Sequence, residues 1–126
     1  MKITSFNPLI ITKDAAPVIE LFEAMGFVKR HTKTGINDKD ITSVRTRYEN
    51  EDGKVFHVDV TQADSEISTI RMNVDNLDEA YEMLKGKGFT NIQGEKITDT
   101  GSSRATMMVS PSGYSISIAQ HIKNDE

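Results

Sequence analysis

An α+β fold of two tandem βαβββ units, with the strands in a curved mixed sheet and the helices on its outer face, is what this sequence predicts, and three observations predict it. Residues 22–27 read Phe-Glu-Ala-Met-Gly-Phe and residues 84–89 read Leu-Lys-Gly-Lys-Gly-Phe, each closing a helix-like stretch and opening a strand-like one. Matching Asn7 to Thr69, Asp14 to Asn76, Gly26 to Gly88 and Phe27 to Phe89 gives a constant offset of 62 residues, and Gly53 meets Gly113 at an offset of 60. Both halves also run through the same succession of periodicities, strand to helix to strand.

The elements follow in order. Lys2 to Ile11 is β-compatible, and Asp14 then precedes Val18, Leu21, Phe22 and Met25, spaced i, i+3, i+4, i+7 as one face of a helix requires. Pro17 suits the first helical turn, where its missing N–H costs little, and Gly26 marks the stop. Phe27 to Thr32 and Ile41 to Tyr48 read as strands around a polar loop holding Gly35, Asn37 and Asp38. Asn50-Glu51-Asp52-Gly53 is a turn signal, and Val55 to Thr61 alternates as a strand. Gln62 to Ile67 is polar enough to link the halves.

The second unit repeats the pattern. Thr69 to Val74 predicts a strand, Leu77 to Lys85 a helix with Leu77, Ala80, Tyr81 and Leu84 on one face, and Gly88 its end. Strands are expected at Thr90 to Ile97 and Arg104 to Ser110, then a Pro111-Ser112-Gly113 turn and a last strand from Tyr114 to Gln120. The tail from Lys123 to Glu126 is expected to fray. A single domain over residues 1–126, with repeat units at about 2–62 and 68–121, fits a chain of this length. A ferredoxin-like βαββαβ arrangement leaves the extra strand in each half unexplained.

Composition narrows the function. The net charge of −4, with Lys and Arg interspersed among acids, argues against nucleic acid as a partner, since phosphate binding needs a basic surface. With no cysteine there is no disulfide, thiol nucleophile or thiolate metal site, and the chain suits a reducing compartment. The amino terminus lacks the apolar run of a signal peptide, and no stretch approaches the roughly 20 apolar residues of a membrane span. A soluble cytoplasmic protein without a membrane partner is the expectation. No Gly-rich phosphate loop, zincin helix or nucleophile elbow is present, so the catalytic residues of any activity remain unknown at this point.

Strand alternation separates two faces. Phe56, Val58 and Val60 lie on one side and His57, Asp59 and Thr61 on the other; Ile70, Met72 and Val74 oppose Thr69, Arg71 and Asn73; Ile116 and Ile118 oppose Ser115, Ser117 and Ala119. A polar face of this kind is common where a sheet meets water. If the sheet curves into a trough, the same residues line a concavity, where pockets form.

These residues resemble the vicinal oxygen chelate superfamily, which includes glyoxalases, bleomycin-resistance proteins and extradiol dioxygenases. The resemblance covers nearly the whole chain. It rests on the order of elements, on Asp14 before the first helix, and on Met25-Gly26-Phe27 in the place of the family's Leu-Gly-Phe, with Lys87-Gly88-Phe89 in the repeat. It rests also on Ser110-Pro111-Ser112-Gly113-Tyr114-Ser115-Ile116-Ser117-Ile118 in the place of the family's Asp-Pro-Asp-Gly-Asn-x-Ile-Glu-Leu ending. The resemblance implies metal ligands, His or Gln on the first strand of each unit and Glu on the last. By the offsets above these positions fall on Asn7, His57, Thr69 and Ser117, of which His57 is the one good ligand for a divalent first-row metal.

The expectation is therefore a member of the superfamily that binds a small organic molecule, with no family metal site and no cofactor. The candidate ligand-binding residues are Asn7, His57, Asp59, Thr69, Arg71 and Ser117. Asp59 enters because it shares a face with His57, and Arg71 because it follows Thr69 on the same face. Arg45, Arg47 and Arg104 also fall in strands, where guanidinium groups suit a carboxylate or phosphate, or simply pair with the excess acids. His31 and His121 read as surface histidines, and of Met107 and Met108 at most one faces a ligand. The alternative is a metal-dependent glyoxalase-like lyase or isomerase with a displaced site around His57 and Asp59, and a third possibility is an interaction module. The resemblance also implies a homodimer.

Overall fold

A computed structural model describes residues 1–34 and 42–122, apart from the side chains of His31 and Lys33. The loop with Gly35, Asn37 and Asp38 and the tail from Lys123 lie outside the described residues. The chain forms β1 (Ile3–Thr12), α1 (Ala16–Ala24), β2 (Val28–Lys33), β3 (Thr42–Glu49), β4 (Val55–Gln62), β5 (Ile67–Val74), α2 (Leu77–Gly86), β6 (Thr90–Asn91), β7 (Thr98–Asp99), β8 (Ser103–Val109) and β9 (Ser115–His121). The fold class is the expected one, α+β; the first half runs βαβββ, and the second repeats that order with two short strands, β6 and β7, where one was expected after the helix.

Two compact units divide it, Asn7–Thr69 and Met1–Phe6 with Ile70–Glu126, so the first residues of β1 group with the second unit. In the Asn7–Thr69 unit the strand order is β2-β3-β4-β1. Strand β4 is antiparallel to β3 and parallel to β1, which makes the sheet mixed. In the other unit the order is β5-β9-β8-β6, with β7 also on β8, and β5 and β9 are parallel.

Each helix stops in the same way. Gly26 and Gly88 adopt φ of 106° and 92°, a conformation that costs residues with a Cβ steric energy. Phe27 N–H then reaches back to Phe22 O and Phe89 N–H to Leu84 O, each at 3.0 Å, while Gly26 and Gly88 donate to Glu23 O and Lys85 O. This is the Schellman pattern, and its apolar partner is in place, for the Phe22 and Phe27 rings meet edge to face at 5.3 Å. The Met-Gly-Phe and Lys-Gly-Phe repeats are therefore two helix stops of one design.

The helix starts differ. Asn76 accepts from Glu79 N–H at 3.1 Å and caps α2. Asp14 does not cap α1, whose Ncap is Ala15 with no side-chain bond of its own. Instead Ala15 N–H donates to Gln62 Oε1 at 2.9 Å, from the end of β4. In the second unit Leu77 N–H likewise donates to Gln120 Oε1 at 2.8 Å, from β9. A glutamine late in each unit thus satisfies a free N–H at the head of its helix.

Burial is uneven. Helix α2 sinks Leu77, Ala80 and Leu84 into a core with Met72, Val74, Met108, Ile116 and Ile118. Helix α1 buries no residue fully; its core is Ala15, Val58 and Val60, with Ile10, Val18, Ile19, Phe22 and Phe27 partly covered. The expected strand from Thr90 to Ile97 does not form. Strand pairing stops after Asn91, because Asn91 Oδ1 accepts from Gln93 N–H and Gly94 turns the chain at φ 76°. Thr98 and Asp99 then pair again with β8.

Candidate functional site

On β1, β3 and β4 the register decides which polar side chains meet. Leu9 lies opposite Asp59 in the parallel β1–β4 pair, while Arg45 faces Asp59 and Arg47 faces His57 across the antiparallel β3–β4 pair. Since side chains alternate, Arg45, Arg47, His57 and Asp59 share the face away from Val58 and Val60.

Asp59 is 1% exposed. Burying a carboxylate without partners is costly, and here the cost is offset by a charged partner and an amide. Arg45 Nη1 donates to both carboxylate oxygens, at 3.1 and 3.3 Å. Asn7 Nδ2 donates to Oδ2 at 3.3 Å and to Pro8 O at 2.9 Å, while Asn7 Oδ1 accepts from Arg45 Nη2 at 3.4 Å. Asn7, Asp59 and Arg45 therefore form one closed triangle.

His57 is half-buried beside this triangle, and its pKa is lowered. Burial is the largest cause, followed by the positive charge of Arg45; Asp59 pulls the other way, and Arg47 and Arg30 add smaller positive fields. Its imidazole is thus kept neutral and hydrogen-bonding near pH 7 rather than cationic.

The other predicted residues are placed as follows. Thr69 and Ser117 are buried. Arg71 is half-buried and lies opposite Ser117 in the β5–β9 pair, and Met107 opposes Ser117 on β8. Met108 lies in the helix-covered core, so the two methionines face opposite ways as expected. Arg104 makes a long surface ion pair with Asp78 at 3.7 Å, and His121 is exposed. A groove of about 300 Å³ beside α2, lined by Leu77, Asp78, Tyr81, Glu82, Lys85, Glu95 and Ile97, contains none of the six predicted residues.

The register also refines the internal equivalence. Leu9 pairs with Asp59 and Arg71 with Ser117; Leu9 to Arg71 is 62 residues, whereas Asp59 to Ser117 is 58. The counterpart of Ser117 in the first unit is therefore Asp59, two residues beyond His57 on the same face. The turn glycines, 60 residues apart, gave the face correctly and the position two residues early. Sequence alignment of the turns could not show this, since only pairing with the first strand fixes register.

These side chains suit a metal ion poorly. Among the described residues no group of three or more His, Asp or Glu is close enough to hold one. The carboxylate nearest His57 is taken by Arg45, and the guanidinium groups around the imidazole oppose a second cation. Nor does the triangle supply a nucleophile with a base. What it supplies is a charge-paired, hydrogen-bonded cluster beside the His57 imidazole, which Arg47 faces across the strand pair.

No protein-family model and no curated protein sequence matches the chain. Solved structures do match it. A variant of the Streptomyces coelicolor methylmalonyl-CoA epimerase, in complex with 2-nitronate-propionyl-CoA, has a TM-score of 0.71 at 15% identity over 97% of this chain and 100% of that one. A methylmalonyl-CoA epimerase in complex with methylmalonyl-CoA has a TM-score of 0.69 at 16% identity, covering 95% of this chain and 96% of the other. The epimerase from Mycobacterium tuberculosis gives 0.68 at 14% identity, covering 96% and 90%. At such identities the likeness is one of fold, and the fold this chain shares with them is that of the vicinal oxygen chelate proteins.

Proposed function

We propose that this protein is a small-molecule-binding member of the glyoxalase and bleomycin-resistance-like superfamily that works without the family's metal. One observation carries the reading. Asp59, the carboxylate at the last-strand position of the first unit, is committed to Arg45 and Asn7, so a guanidinium stands where a metal-dependent member needs a free ligand. Ser117, at the matching position of the second unit, offers only a neutral hydroxyl. The epimerases of this fold that were solved with CoA derivatives support a small organic ligand for the scaffold, without naming the one bound here.

The reading takes residues 1–126 as a single domain acting as a homodimer in the cytoplasm. Half-exposed Leu21 on α1 and Met25 at its C-terminal cap support a second copy, which would remove apolar surface from water. No described helix is long and apolar enough to cross a membrane. The metal-dependent lyase or isomerase centred on His57 and Asp59 is disfavoured by the same Arg45 contact.

Thermal-shift screening with small organic compounds, with and without a chelator, tests the proposal. A ligand at a hundred times its Kd stabilises by about 2.7 kcal/mol, which raises Tm by several degrees. That shift is expected to be indifferent to chelator. Stabilisation that needs a divalent metal, and disappears in His57→Ala, would count against this reading and favour a metal site at His57.

A further inference from the structure

We infer that the face of the β2–β3–β4 sheet bearing Arg30, Arg45, Arg47 and His57 is an oxyanion-binding surface that takes the carboxylate or phosphate group of a small organic ligand. This rests on the ligand-binding reading above and adds the chemistry of the ligand's charged group.

Register places these groups together. Arg47 lies opposite His57 on one side and opposite Val28 on the other, and Arg45 lies opposite Asp59. The β2–β3 pairing is irregular between Lys29 and His31, which takes Arg30 out of simple alternation. Its charge then acts on His57 together with those of Arg45 and Arg47. The opposite face of the same strands is apolar and aromatic, with Phe27 stacked on Tyr48 at 5.3 Å and Tyr48 on Phe56 at 6.3 Å. One side of the sheet is thus a core and the other a cationic surface.

Among the described residues the charge on that surface is not balanced locally. Three guanidinium groups of the described residues meet two carboxylates there, Asp59 at 3.1 Å from Arg45 and Glu49 at 3.2 Å from Arg47, in a chain whose net charge is −4. Bringing like charges together raises their energy unless an anion is recruited between them. The guanidinium groups are also reachable, since the Arg45 and Arg47 side chains are 22% and 33% exposed. Arg45 is held by Asp59 and Asn7, so its planar donors are fixed before any ligand arrives. Guanidinium forks match a carboxylate or phosphate two bonds at a time, and a neutral imidazole adds a donor at no charge cost. Preorganised donors lose little entropy on binding.

The test follows the His57 ring by NMR while inorganic phosphate or malonate is added, at ionic strength held constant with sodium chloride. Saturable shifts are expected, with the ring titrating at higher pH when the anion is bound, because negative charge favours imidazolium over the flanking Arg30, Arg45, Arg47 and Asp59 field. Tighter binding of malonate identifies a carboxylate site, and tighter binding of phosphate a phosphate site. Arg47→Gln, a partly exposed change that circular dichroism can show to be folded, is expected to weaken binding about tenfold or more, the worth of a charged hydrogen bond. Arg104→Gln is expected to leave it unchanged. The inference is overturned if both anions move His57 no more than chloride does, or if Arg47→Gln binds as tightly as the parent. A neutral compound from the thermal-shift screen that stabilises the protein while phosphate and malonate leave His57 unmoved would sink this inference and leave the ligand-binding reading standing.

Discussion

Replacing Arg45 with Met removes both hydrogen bonds from guanidinium to Asp59 while keeping most of the side chain's length and apolar stem. Breaking a fully buried ion pair by deleting one partner costs about 3–5 kcal/mol, because the remaining charge stays buried. Here Asp59 is 1% exposed but Arg45 is 22% exposed, and Asn7 still donates to the carboxylate. The lower end, about 3 kcal/mol, is the expected loss. Against a total stability of about 5–15 kcal/mol this is a large fraction, and Tm should fall by roughly 10 °C or more. Asp59→Asn should cost less, about 1–2 kcal/mol, since the freed guanidinium can turn to water and the amide still accepts. The double variant should cost less than the sum of the two, as no unpaired charge remains. Urea unfolding followed by circular dichroism measures all three. If Arg45→Met costs under about 1 kcal/mol, or the two changes simply add, the pair behaves as an exposed surface bridge and the reasoning about Asp59 fails.

The remaining predictions concern His57 and the first helix stop. His57 has a folded-state pKa below its unfolded value of 6.5, so its contribution to stability is complete above about pH 6.5 and is lost as pH falls through the folded value. In His57→Gln this part of the acid loss should vanish, and an unchanged stability profile between pH 7 and 5 would count against the lowered pKa. Gly26→Ala places a Cβ 3.0 Å from the Tyr48 ring at φ 106°, whereas Gly88→Ala meets Pro111 at 3.3 Å with φ 92°. Both should destabilise by about 1–3 kcal/mol, Gly26→Ala the more, and equal melting of Gly26→Ala and the parent would show that the Schellman stop is dispensable.

Much of the architecture is legible in the residues because its signals are local. Asn76 followed by Leu77, Ala80, Tyr81 and Leu84 gives the second helix both its cap and its buried face. The two Gly-Phe endings give both helix stops. What escapes is what the chain settles over long range. Asp14 precedes α1 in the sequence, yet the acceptor at the helix head is Gln62 Oε1, 47 residues after Ala15, whose N–H it receives. Thr90 to Ile97 looks like one strand, yet the Asn91 side chain and Gly94 break it into a turn. For the site, alternation put His57 and Asp59 on one face, and the sequence marked both. Nothing in it linked Asp59 to Arg45 and Asn7, because that pairing depends on the register of three strands at once.

The two strand-end glutamines carry a kinetic consequence. Each closes a loop of more than forty residues, Ala15 to Gln62 being 47 apart and Leu77 to Gln120 being 43. The first turn of either helix therefore lacks this acceptor until the last strand of its unit has docked. Closure of the strand and completion of the helix head become one cooperative step. Such non-local closure slows folding relative to a bundle of the same size. It also means that a fragment ending before β4 or β9 would leave the corresponding helix frayed at its start, so each unit matures only once its final strand has been made.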